Sequence, residues 1–240
     1  MPDFNDPTYL REEQYRDASN LNARIELHRR FGTNPTTWNT WIFDQFRLPA
    51  VGRILELGCG PGLLWRANFE RIPRGWEVTL SDFSPGMLAE ARRTLGSHAD
   101  RFYFREIDTQ AIPYADGAFD GVIANHMLYH VPDRPRALGE IARVLAPGGV
   151  LYATTVGTNH LRELDALLER ALPNSPSRRS VSSATLGFTL ENGAEQLESY
   201  FAAVALRRYQ HDLRVTEVEP LVAYLLSGAR ARDLAPQRIA

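Results

Sequence analysis

Arg53-Ile-Leu-Glu-Leu-Gly-Cys-Gly-Pro-Gly62 is the stretch on which the fold turns. Its apolar half reads as a buried strand, and the glycines at 58, 60 and 62 read as a tight turn into the start of a helix. With a carboxylate at Glu56 and no Cβ at alternate positions around Cys59, a ligand can lie against bare backbone while the first amides of the next helix point at it. The expectation is a nucleotide-sized site.

Downstream, short apolar runs alternate with helical patterns. Strands are expected near 51–57, 76–81, 101–107, 119–125 and 149–155, with helices near 62–72, 85–95 and 133–145. That rhythm is βαβ, so the class is α/β with a mostly parallel, doubly wound sheet. Pro85 behind Ser84 suits a first helical turn, and Pro147-Gly148-Gly149 reads as a turn ahead of the fifth strand.

Residues 1–48 read as an N-terminal helical cap on a main domain of 49–240. In the cap, Leu21, Ile25 and His28 share one helix face, and Trp38, Trp41, Ile42 and Phe46 repeat at helical spacing; both stripes read as core. Residues 155–200 read as substrate-side helices and a loop, with a leucine-rich helix from 161 to 168 and an irregular Ser/Pro/Arg stretch at 173–183. A helix near 191–200, a sixth strand at Ala203-Val-Ala-Leu206 and a helix over 217–226 follow. A seventh strand either occupies 209–216 or is missing because the chain stops short of it.

Composition narrows the partners. With 44% apolar and 23% charged residues and a net charge of -2, nothing favours a nucleic acid or an anionic membrane. Cys59 is the only cysteine, which rules out an internal disulfide and a thiolate zinc centre, and no metal site is expected. All 27 basic residues are arginine, so no lysine can form a Schiff base or cradle a phosphate. No leader-like or membrane-length apolar run occurs, and the cytoplasm is the expected compartment, for a monomer or homodimer.

Two aspartates complete the glycine loop. Asp82 closes the second strand twenty positions after Gly62, where it reaches a ribose hydroxyl at the carboxyl edge of the sheet. Asp108, just past the third strand, is placed to accept from an exocyclic amine such as adenine's; taken singly, each aspartate also reads as a cap or a solvated turn. Leu63 stands where a dinucleotide fingerprint wants its last small residue, so a nicotinamide cofactor fits poorly.

The series Glu56-Leu-Gly-Cys-Gly-Pro-Gly62, Ser81-Asp-Phe-Ser-Pro-Gly-Met87, Asp108 with Ile112-Pro-Tyr114, Phe119-Asp120 and Leu145-Ala-Pro-Gly-Gly149 resembles the successive motifs of class I S-adenosylmethionine-dependent methyltransferases, in their type 11 small-molecule branch. The resemblance implies S-adenosyl-L-methionine as cofactor. It implies that Glu56, Gly58 and Gly60 surround the methionine part, Asp82 holds the ribose, Phe83 and Met87 flank the adenine, and Asp108 with the Thr109 backbone reads its edge. Cys59, Gly62 and Asn125 are placed in the same cofactor pocket.

Methyl transfer to a hydroxyl gains from a base, and histidine suits that role. His130 is the first choice, with His126 beside it in Asn125-His-Met-Leu-Tyr-His130 and His160 third. His130 also reads as a hydrogen-bonded pocket wall, and His160 as a helix cap. Tyr15 and Arg24 of the cap are candidates for the cofactor side, an arginine fork being suited to a carboxylate. The expected reaction is transfer of a methyl group to a small molecule, at oxygen in the first instance and at carbon or nitrogen as alternatives. A cofactor-binding protein without turnover and an RNA methyltransferase stand as rivals.

Overall fold

The computed structural model describes residues 6–171 and 187–227. Five parallel strands lie in the order β3-β2-β1-β4-β5: β1 Val51–Leu57, β2 Gly75–Asp82, β3 Phe102–Glu106, β4 Phe119–Asn125 and β5 Leu145–Thr154. The chain steps outward from β1 in both directions, so the carboxyl ends of β1 and β4 flank the switch point where α/β sheets bind ligands. β5 starts earlier than expected: Pro147-Gly148-Gly149 falls within it, and the ladder to β4 shifts register between Phe119 and Gly121.

Helices cover both faces. Before the sheet come α1 (Pro7–Tyr9), a π-helical stretch over Leu10–Gln14, α2 (Ser19–Phe31) and α3 (Trp38–Gln45). Between and after the strands come α4 (Leu63–Asn68), α5 (Pro85–Leu95), α6 (Arg134–Val144), α7 (Arg162–Ala171), α8 (Gly193–Glu198) and α9 (Val218–Leu226). The helix expected over 62–72 ends at Asn68 and tightens to a 3₁₀ turn, Phe69–Arg71. Ser84 and Thr37 cap α5 and α3 with their side-chain oxygens.

Strand periodicity assigns the two cores. Ile54 packs with Trp65, Trp76, Val78 and Leu80 on one face, while Leu55 and Leu57 pack with Val122, Leu138 and Ile141 on the other. The same alternation places Glu56 on the Ile54 face, beside Trp65. The cap stripes are only partly core. Ile42 and Phe46 are buried, but Leu21, Ile25, His28, Trp38 and Trp41 are half-buried and line the cleft between the cap and the carboxyl edge of the sheet.

Two expected strands are absent. Residues 203–206 have no regular structure and join no sheet, and Leu206 is 47% exposed; a β-prone run without a neighbouring ladder stays irregular. Residues 209–216 form no seventh strand beside β5. Leu213 makes an isolated antiparallel bridge to Gly32, supported by Thr33 N donating to Asp212 O at 3.0 Å and Arg214 N to Phe31 O at 2.8 Å. The Ser/Pro/Arg stretch expected at 173–183 and the tail from 228 lie outside the described residues.

The cap is fastened to the sheet at one close crossing. Ser84 Oγ donates to the Tyr15 carbonyl at 2.7 Å, and a Cβ placed on Gly86 would stand 1.9 Å from the Arg16 carbonyl oxygen. Gly86→Ala therefore has to push the 15–16 backbone off α5, and the expected loss is about 1–3 kcal/mol of unfolding free energy. Urea denaturation of the variant checks this, and an unchanged midpoint contradicts the crossing.

Candidate functional site

The glycine loop forms because its backbone enters the left-handed region three times, with φ of 68° at Gly58, 52° at Gly60 and 72° at Gly62. The approach of neighbours adds a second constraint: a Cβ on Gly58 would meet Met127 Cβ at 3.0 Å. Cys59 is buried, its amide donating to Ser81 O at 2.8 Å, and burial pushes its thiol up, so it is a packing residue of the loop.

Asp82 closes this loop. One carboxylate oxygen accepts from Gly60 N at 2.9 Å and the other from Ser84 N at 2.9 Å, so the loop after β1 and the entry to α5 share one acceptor. Glu56 is 2% exposed; it accepts from Trp65 Nε1 at 2.6 Å and from Asn125 Nδ2 at 3.2 Å. Asn125 Oδ1 in turn accepts from Thr154 Oγ1 at 3.3 Å, which fixes the amide's orientation.

Both carboxylates are hard to ionise. Burial pushes Glu56 up to about 7, against the hydrogen bonds from Trp65 and Asn125, with the Asp82 charge adding to the rise; burial pushes Asp82 up to about 6. Neither forms an ion pair with a described residue. Two carboxylates held by neutral donors and facing one cleft make a seat for a ligand that brings positive charge and hydroxyl groups. This donor set fits an adenosyl sulfonium.

Asp108 stands exposed at the far side of the cleft, accepting from Gln110 N at 2.9 Å, and Thr109 beside it is buried. Met87 is buried in the floor, and Phe83, half-buried, lies under the Arg11 guanidinium at 5.4 Å. Of the residues placed along the cofactor side by sequence, all but Gly62 line one cleft; Gly62 faces Ala91 and Leu95 of α5 instead.

The histidines separate. Tyr15 Oη and His130 Nε2 share a hydrogen bond at 2.9 Å, with the rings edge to face at 5.5 Å. Arg24 stacks over Tyr15 at 5.9 Å, but its nitrogens donate to Ser227 Oγ at 3.2 Å and Ser227 O at 2.9 Å, so the fork expected to face a cofactor carboxylate is engaged with the end of α9. His126 sits 5.0 Å from Trp38, at a φ of 50° that is unusual for a side chain with a Cβ. His160 stacks on His28 at 6.1 Å.

Several residues of the cleft escaped sequence reading. Trp65 gives no sign in the sequence that it will hold Glu56, and Ser227 none that it will hold Arg24. Tyr209 and His211 line the cleft from a segment without regular structure; their spacing of two was their one available signal. Among the described residues no cluster of His, Cys, Asp and Glu suits a metal, and no helix is long and apolar enough to cross a membrane.

Residues 55–153 match the family model described as a methyltransferase domain. Over 167 residues the chain is 37% identical to malonyl-[acyl-carrier protein] O-methyltransferase of Enterobacter lignolyticus, covering 65% of this chain and 62% of that protein. Over 136 residues it is 43% identical to demethylmenaquinone methyltransferase of Thermus thermophilus, covering 55% and 61%. The chain thus spans about three-fifths of the length of these curated relatives. Among solved structures, a Haloferax volcanii methyltransferase complexed with the activator Trm112 superposes with a TM-score of 0.56 at 22% identity, covering 78% of this chain and 75% of that one. Haemonchus contortus phosphoethanolamine N-methyltransferase 2, solved with S-adenosylhomocysteine, superposes at 0.51 with 26% identity over 65% of this chain and 36% of its own.

The raised carboxylates carry a pH signature. A carboxyl that holds its proton more tightly folded than unfolded favours the fold at low pH, and that contribution is lost as pH rises through the folded value, here about 6 to 7. Without ligand, the wild-type protein should lose stability from about pH 4, where the unfolded carboxyls ionise, to about pH 7, and level off above it. Glu56→Gln, which cannot ionise, should lose on the order of 1–3 kcal/mol less over that window. Denaturant titrations of both proteins at several pH values check it, and parallel pH profiles contradict the assignment.

Proposed function

Since residues 55–153 match the methyltransferase domain family, we propose that the chain is a class I S-adenosylmethionine-dependent methyltransferase whose cleft moves a methyl group from S-adenosyl-L-methionine to a small-molecule acceptor, with a hydroxyl or enol oxygen as the receiving atom. The observation that carries this reading is the Tyr15–His130 hydrogen bond at the mouth of a cleft floored by Glu56 and Asp82. When bound, the cofactor supplies a methyl group already activated by its sulfonium.

This chain's residues have three tasks. Glu56, Asp82 and the Gly58–Gly62 turn hold the cofactor, with Asp82 taking the ribose and Asp108 and Thr109 the adenine edge. The cap, pinned across Gly86, keeps water from the reacting atoms and holds the acceptor in line, which is the larger share of catalysis for an activated donor. His130 takes the acceptor's proton at a ring nitrogen, and Tyr15 fixes the imidazole's orientation.

The named relatives divide over the receiving atom. One similar protein is a malonyl-[acyl-carrier protein] O-methyltransferase, and another, 34% identical over 113 residues, is the ubiquinone/menaquinone biosynthesis C-methyltransferase of Desulfotalea psychrophila. A carbon acceptor is the second reading that these names support. For an aromatic acceptor the two share a first step, because removing a phenolic proton activates both the oxygen and the adjacent ring carbon.

His130→Ala should lower turnover by about 10²–10⁴ while leaving the affinity for S-adenosylhomocysteine near that of the wild type. Tyr15→Phe should lower turnover less and shift its pH dependence. Release of S-adenosylhomocysteine with a panel of phenols, quinols and carboxylic acids supplies the readout. Full turnover in His130→Ala removes the base, and no release with any acceptor favours a binding protein without turnover.

A further inference from the structure

Apart from the Tyr15–His130 pair, the cleft carries a row of six aromatic side chains drawn from five stretches of chain. Ring centroids are 5.0 Å apart for His126 and Trp38, 5.3 Å for Trp38 and Tyr209, and 5.2 Å for Tyr209 and His211. The row continues at 5.6 Å from His211 to His28 and 6.1 Å from His28 to His160. The six line one cavity with the glycine loop.

Four of these rings are imidazoles, and within the described residues none makes a side-chain hydrogen bond. His211 Nδ1 is shielded from solvent and unbonded. Burial, with the repulsion of neighbouring imidazoles, pushes His28 and His126 down to about 4, and burial lowers His160 and His211 as well. Asp165 and Asp212 are the acids that act on the row, on His160 and His211 respectively. At neutral pH the row is therefore uncharged. It offers several N–H donors and ring-nitrogen acceptors that no described residue engages.

An unpaired polar atom shielded from solvent, as His211 Nδ1 is, costs free energy until something meets it, and aromatic side chains favour an aromatic partner stacked offset or edge to face. A hydroxyl donates to a ring nitrogen and an oxo group accepts from a ring N–H, with no charge buried. A free carboxylate would lose hydration against these uncharged rings and gain no opposite charge from them. We infer that the row from His126 to His160 is the acceptor wall, and that it takes an aromatic ring bearing hydroxyl or oxo groups. This rests on the methyltransferase reading and names the substrate class of the same cleft; it adds Tyr209, His211 and His28 as the residues that set specificity.

The test is isothermal titration, with quenching of tryptophan fluorescence as a second signal, of 1-naphthol, 1-methoxynaphthalene and monoethyl adipate. Each is titrated into the protein with and without saturating S-adenosylhomocysteine. Naphthol should bind about tenfold tighter than its methyl ether, the worth of one to two neutral hydrogen bonds, and the adipate half-ester more weakly than either. His211→Phe and His28→Phe keep the ring shape but not its nitrogens. Each should erase most of the naphthol preference while the affinity for S-adenosylhomocysteine, measured on the same samples, stays unchanged.

Equal binding of naphthol and its ether by the wild-type protein overturns the inference without any variant, as does tighter binding of the adipate half-ester. Retention of the preference in both variants overturns the assignment of these residues. Failure of S-adenosylhomocysteine to bind counts against the methyltransferase reading, and the titrations run without it still decide the row.

Discussion

One carboxylate, that of Asp82, ties the site together. By accepting from Gly60 N and Ser84 N it joins the glycine turn after β1 to the first turn of α5, and so fixes two loops that border the cleft. The cap depends on the same junction, since Ser84 reaches across to the Tyr15 carbonyl and Tyr15 in turn reaches His130. Asp82, Ser84, Tyr15 and His130 are thus linked through three consecutive hydrogen bonds. Burial makes the Asp82 charge costly, and Glu56 beside it repeats the pattern more strongly. A site with two reluctant carboxylates that no described residue pairs with a cation is poised for a positively charged ligand.

The site was readable in the sequence where backbone geometry left the residue no alternative. Gly58, Gly60 and Gly62 all take positive φ, so their spacing announced the turn, and β1 before them announced the sheet. Ser84-Pro85 marked the start of α5 because the cap oxygen and the fixed proline φ act locally. The sixth strand expected at 203–206 had the right residues and no edge to join, since ladder pairing is a long-range property. The same limit hid Gly86, whose need for a bare Cα comes from the Arg16 carbonyl about seventy positions earlier in the chain. It also hid Arg24's true partner, Ser227.

The helical stripes of the cap teach a related lesson. Trp38, Trp41 and His28 have the spacing of core residues, and the two tryptophans do pack in part against the core. Periodicity cannot say whether the apolar face of a helix meets a sheet or a cleft, because both exclude water. The difference lies in the company the rings keep. Imidazoles without hydrogen bonds are poor core residues and good ligands for polar oxygen. Tyr209 and His211 add to that wall from an irregular segment held by the Gly32–Leu213 bridge, a placement with no periodic signature at all.

The central claim is that Asp82 and Glu56 seat a cationic adenosyl cofactor. Its most direct measurement is isothermal titration of S-adenosylmethionine into the wild-type protein and Asp82→Ala, with NADH as the competing nucleotide. The account predicts one binding site of micromolar affinity or better for S-adenosylmethionine, its loss in the variant, and no heat from NADH. Absence of binding at tens of micromolar, equal affinity in Asp82→Ala, or saturable binding of NADH would contradict it.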